Sequence, residues 1–365
     1  MSTMIHTYRR CPHLHCQWAD RNKGTRWSPN LSRFCSTNSL GSLVYDKYGP
    51  PTRVLTLQQA GLPALQPHQV LVDFLAAPIN PSDITQIEGR YPIKPPLPAV
   101  AGNEGVARIM QRGSEVQLKK GSMVVPLLAG AGTWRQSAIF DAADLHVIPD
   151  DISIEQAATM SINPPTALRM LEEFVTLEKG DIVVQNGANS AVGQLVIQLA
   201  KAKGIHTVNV VRDRPDMEEV EHYLKSLGAD VVTTDDNLKA ALASAGLPRP
   251  KLGLNCVGGA SSTAVAKSLA HGATIVTYGG MSMKPVTIPT SLLIFKDLTC
   301  KGFWLSGGAK GNDHASKKAV LNKLVPLLRQ NALSTRLNPI SFRRYKEAFE
   351  GPKTQSGEKY LLTFD

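Results

Sequence analysis

The chain has 365 residues, of which 42% are hydrophobic and 19% charged, and it contains 29 glycines and 24 prolines. This composition is ordinary for a globular protein of about two domains, and it excludes collagen-like, disulfide-rich and disordered chains. The five cysteines include no Cys-x-x-Cys pair, which excludes a zinc ribbon or a thioredoxin-type site. Because no apolar run reaches the length that crosses a bilayer, we predict no membrane span.

The formal net charge of +10 is concentrated at the start of the chain. Residues 1–40 hold six lysines and arginines against one acid, Asp20, so six minus one gives +5 of that total. A basic, serine-rich and acid-poor N-terminus is typical of a mitochondrial transit peptide, and residues 1–40 are assigned to one. A disordered tail and a nucleic-acid-binding arm are the alternatives. The remaining +5 gives little reason to expect nucleic-acid binding, and we predict no such partner.

Residues 41–164 are predicted to form the first part of a β-rich, partly open barrel, because short apolar runs alternate with glycine and proline and show little helical periodicity. A turn is expected at 48–51. The predicted strands are 43–45, 54–57, 70–75, 106–110, 123–128 and 145–148.

The pattern changes after Asp150, where strands begin to alternate with helices. This alternation predicts a parallel sheet covered on both faces, which is the doubly wound α/β class, over residues 165–306. Residues 307–365 are assigned to a return segment of the first unit. The predicted helices are 154–160, 166–174, 191–203, 217–226, 262–270 and 314–330, and the predicted strands are 181–185, 207–211, 230–232, 252–256, 273–278 and 359–364.

A small-residue turn follows the first strand of the α/β part, at residues 186–193, and leads into a helix. The backbone N–H groups of such a turn and the positive end of the helix attract pyrophosphate. Gly187 would permit the tight turn and Gly193 the close packing of helix on strand. Ala191 stands where a glycine is usual, and its Cβ crowds the phosphates. The turn predicts dinucleotide binding, although many strand-to-helix turns look similar.

The second strand of this part ends at Val211, and Arg212, Asp213 and Arg214 follow it. Asp213 lies twenty residues past Gly193, where an acid would bind the ribose hydroxyls of NAD. The two flanking guanidiniums instead suit a 2′-phosphate. The balance favours NADPH, and a solvated charged turn is the alternative.

The order of a β-rich part, a dinucleotide part and a short return segment resembles the medium-chain dehydrogenase/reductase superfamily from about residue 43 to the end. Nine segments of the chain stand out within this order: 80–83 (NPSD), 89–91 (GRY), 102–105 (GNEG), 163–167 (NPPTA), 189–193 (NSAVG), 211–215 (VRDRP), 254–259 (LNCVGG), 278–281 (YGGM) and 302–305 (GFWL). Together they are similar to segments of the mitochondrial 2-enoyl-thioester reductases. The resemblance implies a partly open, GroES-like catalytic domain and a doubly wound Rossmann domain.

The resemblance also implies residue roles. Tyr91 would be the catalytic proton donor, since a phenol is protonated at neutral pH and can donate to an enolate. Each of these roles has an alternative. Tyr91 could be a packed loop tyrosine, Tyr278 and Trp304 could be core aromatic side chains, and Lys359 could be a surface charge. The implied cofactor contacts are Asn163, Asn189, Ser190, Ala191, Val192, Arg212, Asp213, Arg214, Tyr278, Gly279, Gly280, Met281, Phe303, Trp304, Leu305 and Lys359.

The resemblance argues against a metal. Zinc alcohol dehydrogenases of the superfamily hold their ion with a cysteine and a histidine, and Asn80 and Asn103 stand at the corresponding places. An amide is a poor zinc ligand. We therefore expect metal-free reduction of an activated C=C bond, with hydride delivered to the β carbon and an enolate formed.

The expected function is NADPH-dependent reduction of trans-2-enoyl thioesters, carried on acyl carrier protein or CoA, in fatty acid synthesis of the mitochondrial matrix. By analogy with the superfamily, the chain is expected to form a homodimer through the strand near Leu298 to Leu305. Two alternatives stay open. One is a zinc-free quinone or enone reductase of the same superfamily, and the other is a non-catalytic nucleotide-binding partner protein.

Overall fold

The computed structural model describes residues 40–307, 313–350 and 357–364. The predicted transit peptide, residues 1–40, lies outside the described residues except for Leu40. A search of the described residues finds no helix whose length and apolar character would suffice to cross a membrane.

The first part of the chain is mainly β, as predicted. Its strands are β1 Leu40–Tyr45, β2 Thr56–Ala60, β3 Gln69–Pro78, β4 Ala99–Val100, β5 Val106–Arg112, β6 Met123–Pro126, β7 Ser137–Asp141 and β8 Leu145–Ile148. Its helices are α1 Pro51–Val54 and α2 Pro81–Ile87, and Ala142–Asp144 form a 3-10 turn.

Strands β4 and β7 were not predicted, and two further details of this part differ from the prediction. The expected strand at 54–57 is wrong at its start, because Val54 ends α1 and the strand begins at Thr56. The expectation of little helix missed α2. Pro81 occupies its first turn, and the Asp83 carboxylate accepts a hydrogen bond from the Asn80 backbone N–H at 2.7 Å. This Asn-Pro-x-Asp start is a helix signal that is readable from the sequence.

The middle of the chain alternates strands and helices. Its helices are α3 Ile154–Ala158, α4 Asn163–Glu172, α5 Ala191–Ala202, α6 Met217–Leu227, α7 Leu238–Ser244, α8 Gly259–Ser268 and α9 Thr290–Lys296. Its strands are β9 Ile182–Asn186, β10 His206–Val210, β11 Val231–Thr233, β12 Leu252–Asn255, β13 Thr274–Thr277 and β14 Thr299–Gly302.

Within the described residues these six strands form one parallel sheet in the order β11-β10-β9-β12-β13-β14, which confirms the doubly wound class. The strand order reverses between β9 and β12. Ligands of such sheets bind in the crevice that opens there, at the carboxyl ends of the strands. The fold therefore places a ligand crevice next to the turn that follows β9.

The last part of the chain returns to the first. It comprises α10 His314–Arg329, β15 Leu337–Ser341, a 3-10 turn at Phe342–Arg344, α11 Glu347–Glu350 and β16 Lys359–Thr363. Strand β16 pairs antiparallel with β3, with Leu361 opposite Pro78. This pairing brings the start of β16 beside the residues that follow β3. Lys359, the first residue of β16, therefore lies close to Asn80.

The two halves share a continuous hydrophobic core. One cluster of buried side chains combines Ala76 and Val106 of the β-rich part with Val183 and Leu195 of the α/β part. The predicted domain limits stay a prediction, and the one between residues 164 and 165 falls inside α4. Because the core is shared, groups from both halves are held at fixed positions along the junction.

Candidate active site at the junction of the two halves

The turn after β9 has the backbone that a phosphate loop requires. Gly187 has a φ of +61°, and a Cβ there would lie 2.6 Å from the Cys256 sulfur, so the predicted tight turn is confirmed. A Cβ on Gly193 would lie 2.5 Å from the Ala188 carbonyl oxygen. The close packing predicted for Gly193 is therefore against the backbone of its own loop rather than against the strand.

Helix α5 begins directly behind this loop. The Ser190 hydroxyl caps it by accepting a hydrogen bond from the Gly193 N–H at 3.2 Å. The first N–H groups of a helix have no partner within the helix, and they favour an anion. Asn189, Ser190, Ala191 and Val192 are all half-buried, so the loop is reachable. The loop thus has the geometry to bind the pyrophosphate of a dinucleotide.

Tyr278 follows β13 at the carboxyl end of the sheet. Among the described residues its buried hydroxyl has no hydrogen-bond partner of normal geometry, although it lies beside Cys256 and Ser190. Burial raises the pKa of Tyr278 well above its usual value. A buried donor without a partner is costly. Its place beside the loop fits a polar group that a bound cofactor would supply.

The two arginines of the basic turn after β10 have different surroundings. The Arg214 guanidinium binds both carboxylate oxygens of Asp216, at 2.5 and 2.7 Å, and only 10% of its side chain is exposed. Arg212 and Asp213 are exposed. The role predicted for all three residues stays a prediction, and the structure presents Arg212 as the cation that faces solvent.

A buried polar cluster lies where the halves meet, and it is formed by Asn80, Asp83, Asn103, Glu104, Asn163 and Lys359. Its centre is the Asn80 amide, which is 2% exposed. The amide donates to Glu104 Oε2 at 2.9 Å. Its oxygen accepts from Lys359 Nζ at 2.6 Å and from Asn163 Nδ2 at 3.4 Å. The alternative role of Lys359 as a surface charge is wrong, because this side chain is buried.

Both carboxylates of the polar cluster are compensated. Glu104 Oε1 accepts from the backbone N–H groups of Ser161 and Ile162, at 2.9 and 2.8 Å, where α4 begins. Asp83 accepts from Asn103 Nδ2 at 2.7 Å. Burial raises the pKa of Asp83 to about 6, although the hydrogen bonds it accepts oppose the shift. Burial also lowers the pKa of Lys359, against the attraction of Glu104 and Asp83.

Sequence reasoning missed Asp83 and Glu104 as members of the site. For Glu104 the sequence held a signal of burial, because this charged residue follows the apolar residues Val100 and Ala101 and precedes Val106. A charge in such a run is buried only when it is paired. The pairs themselves come from distant segments.

Tyr91 lies in the loop after α2, where its backbone N–H donates to the Thr85 carbonyl at 3.1 Å. The Trp304 indole Nε1–H donates to the Tyr91 hydroxyl at 2.7 Å, and the two rings meet edge to face at 5.9 Å. An indole N–H only donates, so the phenol oxygen accepts and its own proton is left for another acceptor. Trp304 is 39% exposed, so its alternative role as a core aromatic is wrong.

The loop of Tyr91 makes a second contact with the α/β half. The Arg90 guanidinium lies 3.4 Å from the Met283 sulfur, in the segment after β13. Gly279 is half-buried there, and Gly280 and Met281 are exposed. Two successive loop residues thus touch the edge of the crevice, which places the Tyr91 hydroxyl at the junction.

An apolar cleft with a cavity volume of about 60 Å³ borders this site. Leu305, one residue past Trp304, is part of its lining. Two cations of the described residues lie in its wall, and both are engaged, since Lys317 donates to the Leu127 carbonyl at 2.7 Å and Arg169 binds Glu173 at 2.6 Å. Its lining includes Pro126, Leu127, Leu128, Ile162, Pro165, Val320 and Leu321.

Phe303 stands behind the cleft. It packs edge to face on Phe174 at 5.9 Å, and the Arg169 guanidinium lies 5.3 Å from its ring centre. Residues 302–305 therefore supply part of the wall through Leu305, packing behind it through Phe303, and a hydrogen-bond donor through Trp304. The structure brings these residues, Tyr91 and the polar cluster to one junction.

A GroES-like β-rich part, a doubly wound dinucleotide part and a returning C-terminal strand define a medium-chain dehydrogenase/reductase. The alcohol dehydrogenase GroES-like domain family matches residues 66–150, and the zinc-binding dehydrogenase family matches residues 191–323. Mitochondrial enoyl-[acyl-carrier-protein] reductase of Rattus norvegicus is 46% identical over 89% of this chain and 88% of its own length. The chain belongs to the family of mitochondrial enoyl-[acyl-carrier-protein] reductases.

Solved structures agree with this assignment. The complex of Etr1p with NADP and crotonyl-CoA has a TM-score of 0.82 and 35% sequence identity, and covers 90% of this chain and 100% of its own. The Etr1p/Etr2p heterodimer of Candida tropicalis, a mitochondrial 2-enoyl thioester reductase, gives the same four values of 0.82, 35%, 90% and 100%.

The residues present do not fit the zinc ion named in one of the matching families. Both atoms of the Asn80 amide are engaged, and its oxygen is bound by the Lys359 ammonium group at 2.6 Å. Zinc sites use thiolate, imidazole or carboxylate ligands. No group of three or more histidine, cysteine or acidic side chains that could hold a metal is found among residues 40–307, 313–350 and 357–364.

Proposed function

We propose that the protein reduces trans-2-enoyl thioesters to saturated acyl thioesters with NADPH, in mitochondrial fatty acid synthesis. The observation that carries this function is the Tyr91 hydroxyl. It accepts the Trp304 indole N–H at 2.7 Å at the junction, beside an apolar cleft and the carboxyl edge of a dinucleotide-binding sheet. The family to which the chain belongs supports the same reaction.

The cofactor is NADPH, which supplies the hydride when it is bound. The loop of Asn189 to Val192 would hold the pyrophosphate, and Arg212 would meet the 2′-phosphate. The Tyr278 hydroxyl, which has no partner of normal geometry among the described residues, fits a polar group of the cofactor. Trp304 and Phe303 would border the nicotinamide end, with Asn163 and Lys359 behind them in the polar cluster.

The catalytic work of this chain is proton delivery and charge stabilisation. Reduction at the β carbon leaves an enolate, which needs a proton at the α carbon and a donor near its oxygen. Tyr91 is the proton donor, because its oxygen already accepts from Trp304 and its proton is available. Trp304 therefore orients the phenol.

The substrate is an enoyl thioester, carried on acyl carrier protein or CoA. The apolar cleft next to Leu305 suits an acyl chain, since Lys317 and Arg169 in its wall are engaged and its lining among the described residues is largely aliphatic. Burial of each chain methylene contributes about 0.8 kcal/mol. The alternatives of a quinone reductase and a non-catalytic partner protein are not favoured by the relatives.

A homodimer is part of the proposal. Within the described residues β14 ends the parallel sheet, and Ile294 and Phe295 of α9 beside it are 63% and 75% exposed. A second copy would cover this apolar edge, and the similar Etr1p/Etr2p protein is a heterodimer. Sedimentation of Phe295→Asp, expected to be monomeric where the parent is dimeric, tests this interface.

The protein is mitochondrial, like the relatives that are named so. Residues 1–40 are proposed as the transit peptide. The parts 41–164, 165–306 and 307–365 are proposed as the first part of the catalytic domain, the cofactor domain and the return segment.

Oxidation of NADPH by the purified protein with a medium-chain trans-2-enoyl-CoA tests the function. NADH and a simple quinone serve as parallel arms. Turnover with NADPH and the thioester, and little with NADH, is the expected result. Turnover with the quinone alone would assign the protein to the rival reductases, and NADPH binding without turnover on any acceptor would favour the non-catalytic role.

A further inference from the structure

Gln194 connects the phosphate loop to two distant parts of the fold. It lies on α5, four residues past the helix cap Ser190, and its side chain is fully buried. Its amide nitrogen donates to the Asn189 carbonyl at 2.8 Å and to the Gly357 carbonyl at 2.9 Å. Both amide hydrogens are therefore committed, one to the loop and one to the return segment.

The oxygen of the same amide binds α6. It accepts a hydrogen bond from the Tyr223 hydroxyl at 3.0 Å. The Tyr223 ring lies under the Arg336 guanidinium, 3.6 Å from its ring centre. The orientation of the Gln194 amide is thus fixed by partners on both sides, with the nitrogen facing Asn189 and Gly357.

At the contact between the phosphate loop and the return segment, there is no space for a side chain on Gly357. Gly357 has a φ of +79°, and a Cβ there would lie 2.3 Å from the Asn189 carbonyl oxygen. Two residues further on, Lys359 Nζ donates to Asn80 in the polar cluster at 2.6 Å. Residues 357–359 therefore touch the phosphate loop at one end and the polar cluster at the other.

We propose that Gln194 is a positioning residue that locks the phosphate loop to residues 357–359. The lock fixes the Asn189 carbonyl, and with it the peptide groups that face the pyrophosphate. It also fixes the start of β16, which holds Lys359 in the polar cluster. The inference rests on the proposed function, because the ligand of the loop is NADPH.

The test replaces the amide without changing the length of the side chain. Gln194→Met leaves the Asn189 and Gly357 carbonyls without their donor, and we expect the Kd for NADPH, measured by fluorescence titration, to rise about 10-fold. Gln198→Met is the matched control. Gln198 is also buried on α5, one turn on, and it binds the Ser334 carbonyl of the return segment at 2.7 Å, away from the loop. It should lose similar stability and keep the parental Kd.

Gly357→Ala tests the same lock from the other side. Its Cβ would force residues 357–359 off the loop, and we expect a similar rise in Kd. If both residues act through one contact, the double variant with Gln194→Met should lose less affinity than the product of the two single losses. Gly357→Ala also carries the test if Gln194→Met does not fold.

Equal Kd values in Gln194→Met, Gly357→Ala and the parent would overturn the inference, and so would an equal loss of affinity in Gln198→Met. A rise in KM for NADPH, with kcat at saturating cofactor largely kept, is the kinetic result that the proposal expects. A parent protein that does not bind NADPH would instead refute the proposed function. The two failures are therefore distinguishable.

Discussion

The phosphate loop and the polar cluster are built on opposite principles, although both serve one junction. The loop is a short run of consecutive residues whose work is done by backbone N–H groups, so its sequence requirement is the absence of Cβ atoms at Gly187 and Gly193. The polar cluster is assembled from segments far apart in the chain, and its work is done by side chains whose charges compensate one another. Damage to the first should change cofactor affinity, whereas damage to the second should change stability.

The largest expected effect belongs to Tyr91, which is outside both regions. Tyr91→Phe keeps the ring and its edge-to-face contact with Trp304 but removes the hydroxyl that donates the proton and accepts the Trp304 N–H, so kcat for enoyl thioester reduction should fall by about 10²–10⁴. Steady-state kinetics with NADPH checks this, and the Kd for NADPH should be nearly unchanged. Tyr48→Phe, on a 41% exposed tyrosine that packs near Gly89, is the control and should keep full activity. Comparable rates in both variants would contradict the assigned role.

The stability side of the comparison depends on Lys359. Lys359→Met removes the cation that faces Asn80 and leaves Glu104 and Asp83 buried without it. We expect the free energy of unfolding to fall by about 3–5 kcal/mol, as when one partner of a buried ion pair is lost. Lys323→Met is the control, because its pair with Glu172 is largely exposed and should contribute less than about 1 kcal/mol. Urea unfolding measures both, and equal losses would remove the distinction.

Asp83 should give the polar cluster a pH dependence. The folded chain keeps this proton up to about pH 6, whereas an unfolded aspartate releases it near 3.8. The folded state therefore binds more protons between these values, and the stability due to Asp83 falls as the pH rises through this window, by about 2–3 kcal/mol in total. Urea unfolding of Asp83→Asn at a series of pH values should show this slope reduced.

Asp216→Asn is the control of opposite sign. Arg214 lowers the pKa of Asp216, so its contribution to stability is present at neutral pH and is lost on acidification. The same unfolding series, extended below pH 3.8, should therefore show a slope difference in the other direction there. Identical pH slopes for Asp83→Asn and the parent protein would show that Asp83 does not titrate in this window.

The loop side of the comparison depends on Gly193. In Gly193→Ala the new Cβ would lie 2.5 Å from the Ala188 carbonyl oxygen, so the loop backbone must move. The Kd for NADPH should rise about 10-fold, in keeping with the usual cost of overpacking. Ala191→Gly removes a Cβ from the same loop and should not weaken binding. A weakening of equal size in both variants would mean that the packing of Gly193 is not the cause.

The same contrast explains which parts of the site could be predicted from the sequence. The strand, turn and helix around Gly187 and Gly193 are local, so composition and spacing predicted them. The hydrogen bond from Lys359 to Asn80 joins residues 279 positions apart and arises only because β16 pairs with β3. The bond between Trp304 and Tyr91 spans 213 positions, and although both residues were named, nothing in their spacing shows that they meet.

An effect of the same size as that of Gly193→Ala should separate the two arginines of the basic turn, which look alike in the sequence. Arg214 is bound to Asp216 at 2.5 and 2.7 Å, whereas Arg212 is exposed. Charge-assisted hydrogen bonds from a guanidinium to a phosphate contribute about 1.5–3 kcal/mol. Arg212→Ala should therefore raise the Kd for NADPH about 10-fold and leave that for NADH, which has no 2′-phosphate, nearly unchanged.

Arg214→Ala should act differently, because the loss of the guanidinium leaves the Asp216 carboxylate without its ion-pair partner. An unpaired carboxylate near the 2′-phosphate repels it, so NADPH should again bind less tightly. In the double variant Arg214→Ala with Asp216→Ala that repulsion is gone, and affinity should largely return if Arg214 serves only to neutralise Asp216. If Arg214 itself binds the phosphate, the double variant stays as weak as the single one. Titration of both cofactors therefore decides which arginine selects NADPH.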